Sequence, residues 1–298
     1  MKTKANGITF NTEINGPDNA PWLIFSNSLA TNLHMWDQQA DDLKSSFRIL
    51  RYDQRGHGQT EAPAGRYTFE LLCADVIALM DALGIKRAHW CGVSMGCATG
   101  MGLVQNYPDR FDRMVLCDNP GRSSPETHRQ WEERIAVAQK DGMPALLEST
   151  MQRWFSPETL KADPPHMNVI RNMILTTPVN GFVGCSAALG DHDFRPLMPK
   201  VRHPVLWMCG EKDGHNAAAM KVMQDELPGS QYIVLAGAGH TPTWISPRCS
   251  RRRCAIFSVA SVFACRLRRC VVGEPLKTLN KMSLFCKMGS FGLFTIYS

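Results

Sequence analysis

The chain has 298 residues, a net charge of +6 and 44% apolar residues. That composition excludes a disordered chain, a collagen-like repeat and a small disulfide scaffold. No apolar run approaches the ~18 residues that cross a bilayer, and the opening MKTKANGITF lacks the apolar stretch of ~7–15 residues of a signal peptide. A soluble, cytoplasmic protein is expected. The charge is unevenly spread. Residues 248–298 hold ten Lys/Arg and one acid (Glu274), a net +9, which leaves −3 for residues 1–247. Five of the 11 cysteines lie in the same stretch. The other six sit mostly among apolar neighbours and read as buried free thiols, not bridges.

In chain order, Trp22–Phe25 reads as a buried strand ending at Ser26-Asn27-Ser28. Phe47–Tyr52 is the next, closing on the turn Asp53-Gln54-Arg55-Gly56-His57-Gly58. Phe69, Leu72, Val76, Leu79, Met80 and Leu83 recur at helical spacing, with Thr68 as N-cap and Gly84 as stop. Ala88–Cys91 is a third strand, followed by a helix of small residues from Met95 to Tyr107, and Met114–Cys117 is a fourth strand. From about Pro120 to Arg195 the strands stop, and segments 126–141, 143–154 and 165–176 read as helices. Strands return at Val205–Met208 and Tyr232–Leu235, with a helix near 216–226 between them. Apolar strands separated by helices imply an α/β fold, a mostly parallel sheet covered on both faces. The helical stretch 120–195 reads as a cap over the sheet's C-terminal edge, where open α/β folds bind ligands.

Gly92-Val93-Ser94-Met95-Gly96 fits the G-x-S-x-G pattern of a serine lifted on a sharp strand-to-helix turn. Two glycines are required because a Cβ would clash there. Such a serine needs a base, and the base needs an orienting carboxylate. His240 follows the last strand and Asp213 the one before it, so the chain order is Ser94, Asp213, His240. Asp118, also at a strand end, is the rival carboxylate. The backbone N–H groups of Met95 and of Leu29, in the loop after the first strand, are the expected oxyanion donors. The Asp53–Gly58 turn with Thr60 reads as structural bracing. His192, flanked by Asp191 and Asp193, has no partner at metal-ligand spacing. No cofactor motif is present, and serine acyl transfer requires none.

These words together resemble an α/β-hydrolase and, within that superfamily, the 3-oxoadipate enol-lactonases. The likeness rests on Ser26–Leu29 with Met35-Trp36, Tyr52–Gly58, Gly92–Gly96, Trp131–Arg134, Arg153–Phe155, Gly210–Asp213 and Gly239-His240, and covers residues 1–247. It implies hydrolysis of a small enol-lactone bearing a carboxylate, with Ser94 as nucleophile. Arg134 then meets the substrate carboxylate, or is a solvated helix residue paired with a glutamate. Trp131 and Trp154 line the pocket or pack the cap. Other readings are a general carboxylesterase, another lactonase, a perhydrolase-like enzyme, or a binding protein without catalysis. No nucleic acid or membrane partner is specified. After His240 such hydrolases usually continue with an acidic residue, a proline and a closing helix; Thr241–Pro247 begins that approach and Arg248 onward abandons it. Residues 248–298 are therefore expected to be a poorly ordered tail, not a second domain.

Overall fold

Asn6-Gly7 separates two short runs whose apolar residues alternate with polar ones, and this pattern starts the sheet. In the computed structural model, which describes residues 1–214 and 216–240, β1 (Lys2–Ala5) and β2 (Ile8–Asn15) pair antiparallel across that turn. Asn6 and Gly7 both take positive φ, 43° and 79°, the combination a two-residue hairpin turn demands. The strand reading above begins only at Trp22. The Asn-Gly pair, with Ile8, Phe10 and Thr12 pointing to one buried face, is the signal that finds this hairpin.

The remaining elements are β3 (Trp22–Ser26), α1 (Asp37–Leu43), β4 (Arg48–Tyr52), α2 (Phe69–Ala82), β5 (Ala88–Val93), α3 (Met95–Asn106) and β6 (Phe111–Cys117). An insert of five helices follows: α4 (Pro125–Asp141), α5 (Leu147–Trp154), α6 (Pro157–Ala162), α7 (His166–Thr176) and α8 (Val179–Gly190). The sheet resumes with β7 (Val205–Gly210), α9 (Asn216–Glu226) and β8 (Gln231–Leu235). Spatially the order is β1-β2-β4-β3-β5-β6-β7-β8, with β2 antiparallel to both of its neighbours and the rest parallel. Every residue of β5 and β7 is buried, as a sheet covered on both faces requires. Parallel direction puts the C-terminal ends of β3, β5, β6 and β7 on one edge. The loops that carry Leu29, Ser94, Asp118 and Asp213 leave from there.

Local signals explain most boundaries. The Thr68 hydroxyl accepts from the Leu71 N–H at 3.2 Å and caps α2, and Gly84 ends it at φ 69°. The segment read as one helix over 143–154 is a 3-10 turn, Met143–Leu146, followed by α5; Pro144 in its first turn has no N–H to give. Helices α1, α6 and α8 went unread. In α8, Gly181 and Gly184 mark not a turn but a close approach. A Cβ at Gly181 would lie 1.8 Å from the Gly56 carbonyl oxygen, and one at Gly184 2.6 Å from the Tyr67 ring. The insert thus docks directly on the 53–60 loop. The six described cysteines, 73, 91, 97, 117, 185 and 209, are all buried and free. Residues 248–298, with the expected tail and its five cysteines, lie outside the described residues.

Candidate active site

Val93 ends β5 and Met95 starts α3, so Ser94 must turn the chain in one residue. It does so at φ 54° and ψ −108°, a sparsely populated positive-φ backbone state that costs a non-glycine residue about 1–3 kcal/mol. The glycines on either side permit the turn. A Cβ at Gly92 would stand 2.2 Å from the Gly96 carbonyl oxygen, and one at Gly96 2.4 Å from that of Ser26. The Ser94 N–H is tied to the Cys117 carbonyl at 2.8 Å and the Gly96 N–H to that of Asn27 at 3.0 Å. The hydroxyl therefore sits at the N-terminal, positive end of α3.

His240 and Asp213 arrive from separate loops. The His240 N–H donates to the Trp154 carbonyl at 3.1 Å, and the Trp154 ring stacks on the imidazole with centroids 6.5 Å apart. Nδ1 lies 3.0 and 2.9 Å from the two Asp213 oxygens. Because an ionised carboxylate only accepts, Nδ1 carries the proton and Nε2 is left to accept from the Ser94 hydroxyl, 2.9 Å away. Burial alone would raise the Asp213 pKa. The His240 imidazole, together with the hydrogen bond from Asn216, brings it below the usual carboxylate value. Of the two carboxylates considered, Asp213 is the one on the imidazole; Asp118 stands behind it. Asn216, whose side-chain amide donates to Asp213 at 2.9 Å, was not anticipated.

The loop after β3 brings Ser28, Leu29 and Ala30 to the rim of the same cleft. Among the described residues, the N–H groups of Leu29 and Met95 have no acceptor. The Asp53–Thr60 turn holds this loop in place. The Gln54 amide donates to the Asn27 carbonyl at 2.6 Å, and Asp53 accepts the Leu33 N–H at 2.7 Å. His57 is the closest brace: Nδ1–H donates to the Arg55 carbonyl at 3.1 Å, so Nε2 accepts the Ala30 N–H at 3.0 Å. Burial pushes the His57 pKa down, which keeps the ring neutral and Nε2 an acceptor. Ala30 itself is held at φ 57°.

Above the serine lies a cleft whose empty space, open solvent at its mouth included, is about 750 Å³. Its walls include Arg122, Trp131, Arg134, Arg153, Trp154 and Phe182 from the insert and the loop before it. Arg134 donates to the Thr150 hydroxyl at 2.6 Å and lies 5.8 Å from the Trp131 ring. Arg153, a residue to which no role was given from sequence, lies 5.2 Å from the same ring. Neither guanidinium forms an ion pair among the described residues, so the glutamate pairing considered for Arg134 is not found there. Burial, with the like charge of Arg153, pushes Arg134 down to about 10. Desolvation also lowers Arg153, against the pull of Asp213. Two guanidinium groups, Arg134 half-buried and Arg153 exposed, face one cleft with no ion-pair partner among the described residues, an arrangement that suits a carboxylate. His192 also reaches the cleft. Its Nδ1–H donates to the Leu189 carbonyl at 3.0 Å, and burial pushes it down to about 4.

Comparison with known proteins supports the fold and family. A family model described as the alpha/beta hydrolase fold matches residues 21–247. The 3-oxoadipate enol-lactonase 1 of Acinetobacter baylyi is 35% identical over 239 residues, covering 79% of this chain and 88% of that protein. The enol-lactonase 2 of the same organism is 32% identical over 209 residues, covering 70% and 78%. Among solved structures, the enol-lactonase from Burkholderia xenovorans LB400 superposes with a TM-score of 0.82 at 34% identity, covering 89% of this chain and all of that one. More distant relatives include a putative carbamate hydrolase of a Caulobacter species, 26% identical over 233 residues, 76% of this chain and 85% of that protein. A mostly parallel sheet, eight-stranded among the described residues, a serine on its strand-to-helix turn and a family match over residues 21–247 lead to one conclusion: this chain belongs to the α/β-hydrolase family.

Proposed function

We propose that the chain is a carboxylic-ester hydrolase that opens a small enol-lactone bearing a carboxylate, 3-oxoadipate enol-lactone to 3-oxoadipate, in the cytoplasm. The observation that carries this reading is the continuous hydrogen-bond path from the Ser94 hydroxyl through His240 to Asp213. His240 Nε2 takes the serine proton as Oγ attacks the lactone carbonyl. The oxyanion that forms accepts from the Leu29 and Met95 N–H groups. Collapse breaks the ring C–O bond, and the leaving enolate oxygen takes the proton from His240. The leaving group stays tethered to the acyl chain and tautomerises to the ketone. His240 then deprotonates water, which attacks the acyl-enzyme carbonyl. Ser94 departs with that proton, and the product is the oxo-diacid.

The substrate carboxylate supplies the anion that Arg134 and Arg153 lack, with Trp131 and Trp154 as flat walls beside it. The names of the enol-lactonase relatives support the choice of lactone. The test is loss of the enol-lactone ultraviolet absorbance, run beside p-nitrophenyl acetate hydrolysis. Enol-lactone kcat/KM far above that for the neutral ester is expected. A preference for the neutral ester would replace the lactonase reading with a general esterase, and no turnover of either would favour a binding protein.

A further inference from the structure

Asp118 is a carboxyl group that the mechanism above does not use. It ends β6 at φ 57°, is 1% exposed, and its N–H is held by the Met208 carbonyl at 3.0 Å. Oδ1 accepts the Gly210 N–H at 2.9 Å, which ties β6 to the start of the loop that carries Asp213. Oδ2 is fully buried and has no hydrogen-bond partner among the described residues. An oxygen of Asp118, an oxygen of Asp213 and the Cys209 sulfur all lie within 4.8 Å of one another. If both carboxyl groups were ionised, each could only accept, and two buried like charges would face each other across that gap. One proton removes both problems.

The titratable and charged groups around Asp118 do not supply a counter-charge. Cys97 comes from α3, Cys209 from β7, Tyr232 from β8, and Cys117 precedes it on its own strand. All four are neutral donors whose own pKa values are raised by burial, in Cys117 behind a hydrogen bond with Cys91. The nearby Arg153 cation and the His240 imidazole face Asp213. We propose that Asp118 keeps a proton on Oδ2 and donates it to Asp213, as a positioning residue that steadies the Asp213 anion under His240. The proton stays on Asp118 throughout turnover. Burial first, and the neighbouring charge of Asp213 second, push Asp118 well above the carboxylate range. A buried acid kept neutral to serve as a donor is an established device in active sites.

This inference rests on reading Ser94, His240 and Asp213 as the catalytic set, so its test is independent of the lactone. Infrared difference spectra of the full chain against Asp118→Asn at pH 7 should show the carbonyl stretch of a protonated carboxylic acid in the wild type. That band needs no turnover, and its absence overturns the proposal. With p-nitrophenyl acetate, Asp118→Ala should lower kcat/KM by about fivefold, roughly one hydrogen bond. It should also move the acid limb of the pH profile upward, because Asp213 then concentrates its charge on His240. Asp118→Asn, whose amide can accept from Gly210 and donate to Asp213, should restore both. Were Asp118 ionised, Ala and Asn alike would remove a negative charge and move the limb downward. That result, or equal losses in both variants with an unmoved limb, contradicts a neutral donor. If the Ala variant does not fold, the infrared band and the Asn profile decide.

Discussion

Replacing His57 with leucine tests whether the loop after β3 is aimed from below. The substitution keeps an apolar group of similar bulk and deletes both ring nitrogens. Two buried partners lose their bonds, the Ala30 N–H and the Arg55 carbonyl, at about 1–3 kcal/mol each. Burying an aliphatic side chain returns about 2 kcal/mol, so the net loss of stability is at most about 4 kcal/mol. The catalytic effect has two bounds. The left-handed Ala30 costs about 1–2 kcal/mol to maintain, and without its anchor the loop can relax, depleting the productive conformer about 5–30-fold. If relaxation removes the Leu29 donor altogether, the loss is that of one oxyanion contact, about 10²–10³ in kcat. The expectation is therefore a fall in kcat of about 5- to 1000-fold with KM little changed. The assay is enol-lactone turnover at 25 °C per active site counted with a phosphonate, with circular dichroism to measure the folded fraction. A folded variant whose kcat stays within about threefold of wild type would refute the bracing argument.

Arg134→Met and Arg153→Met should each raise KM for the carboxylate-bearing lactone by about 10- to 100-fold, the worth of one charge-assisted hydrogen bond, while p-nitrophenyl acetate kinetics change little; equal losses on both substrates would contradict anion recognition. A dicarboxylate product analogue should raise the melting temperature of the wild type and not of the double variant. Gly96→Ala places a methyl group 2.4 Å from the Ser26 carbonyl oxygen, and overpacking of that kind costs about 1–3 kcal/mol; an unchanged denaturation midpoint would show that the turn has slack. Burial pushes His89 and His192 down to about 4. In the unfolded chain both titrate near 6.5, so between those values the unfolded state binds more protons. Stability should be complete above about pH 6.5 and decline as pH falls toward 4, by up to about 3 kcal/mol per histidine. Urea midpoints at pH 7 and pH 5 check this, and His192→Gln should flatten the slope.

What was legible in the sequence follows from how strongly each feature is imposed locally. The central strands, Val205–Met208 among them, are continuous apolar runs between turns. Ser94 was legible because its turn requires glycine at 92 and 96, where Cβ contacts near 2 Å leave no alternative. Asp213 and His240 follow from being the polar residues just past two strands. Arg153 was not legible, because its place in the cleft depends on how α5 packs, and one arginine on a helix looks like any solvated one. Helix α8 was missed for the opposite reason. Only in the folded chain do Gly56 and Tyr67 occupy the space that side chains at Gly181 and Gly184 would need. The Asp53–Thr60 turn was read as bracing, but only the folded chain reveals that it braces the loop holding Leu29 and Ala30.

The central claim is that His240 and Asp213 make Ser94 the nucleophile. It is tested most directly by treating the full chain with an organophosphonate ester and mapping the adduct by mass spectrometry. One adduct per chain on the peptide containing Ser94 is predicted, with labelling lost in Ser94→Ala and slowed at least a hundredfold, or about 3 kcal/mol, in His240→Ala. Labelling at another residue, or labelling of Ser94 at the same rate without His240, would contradict the account.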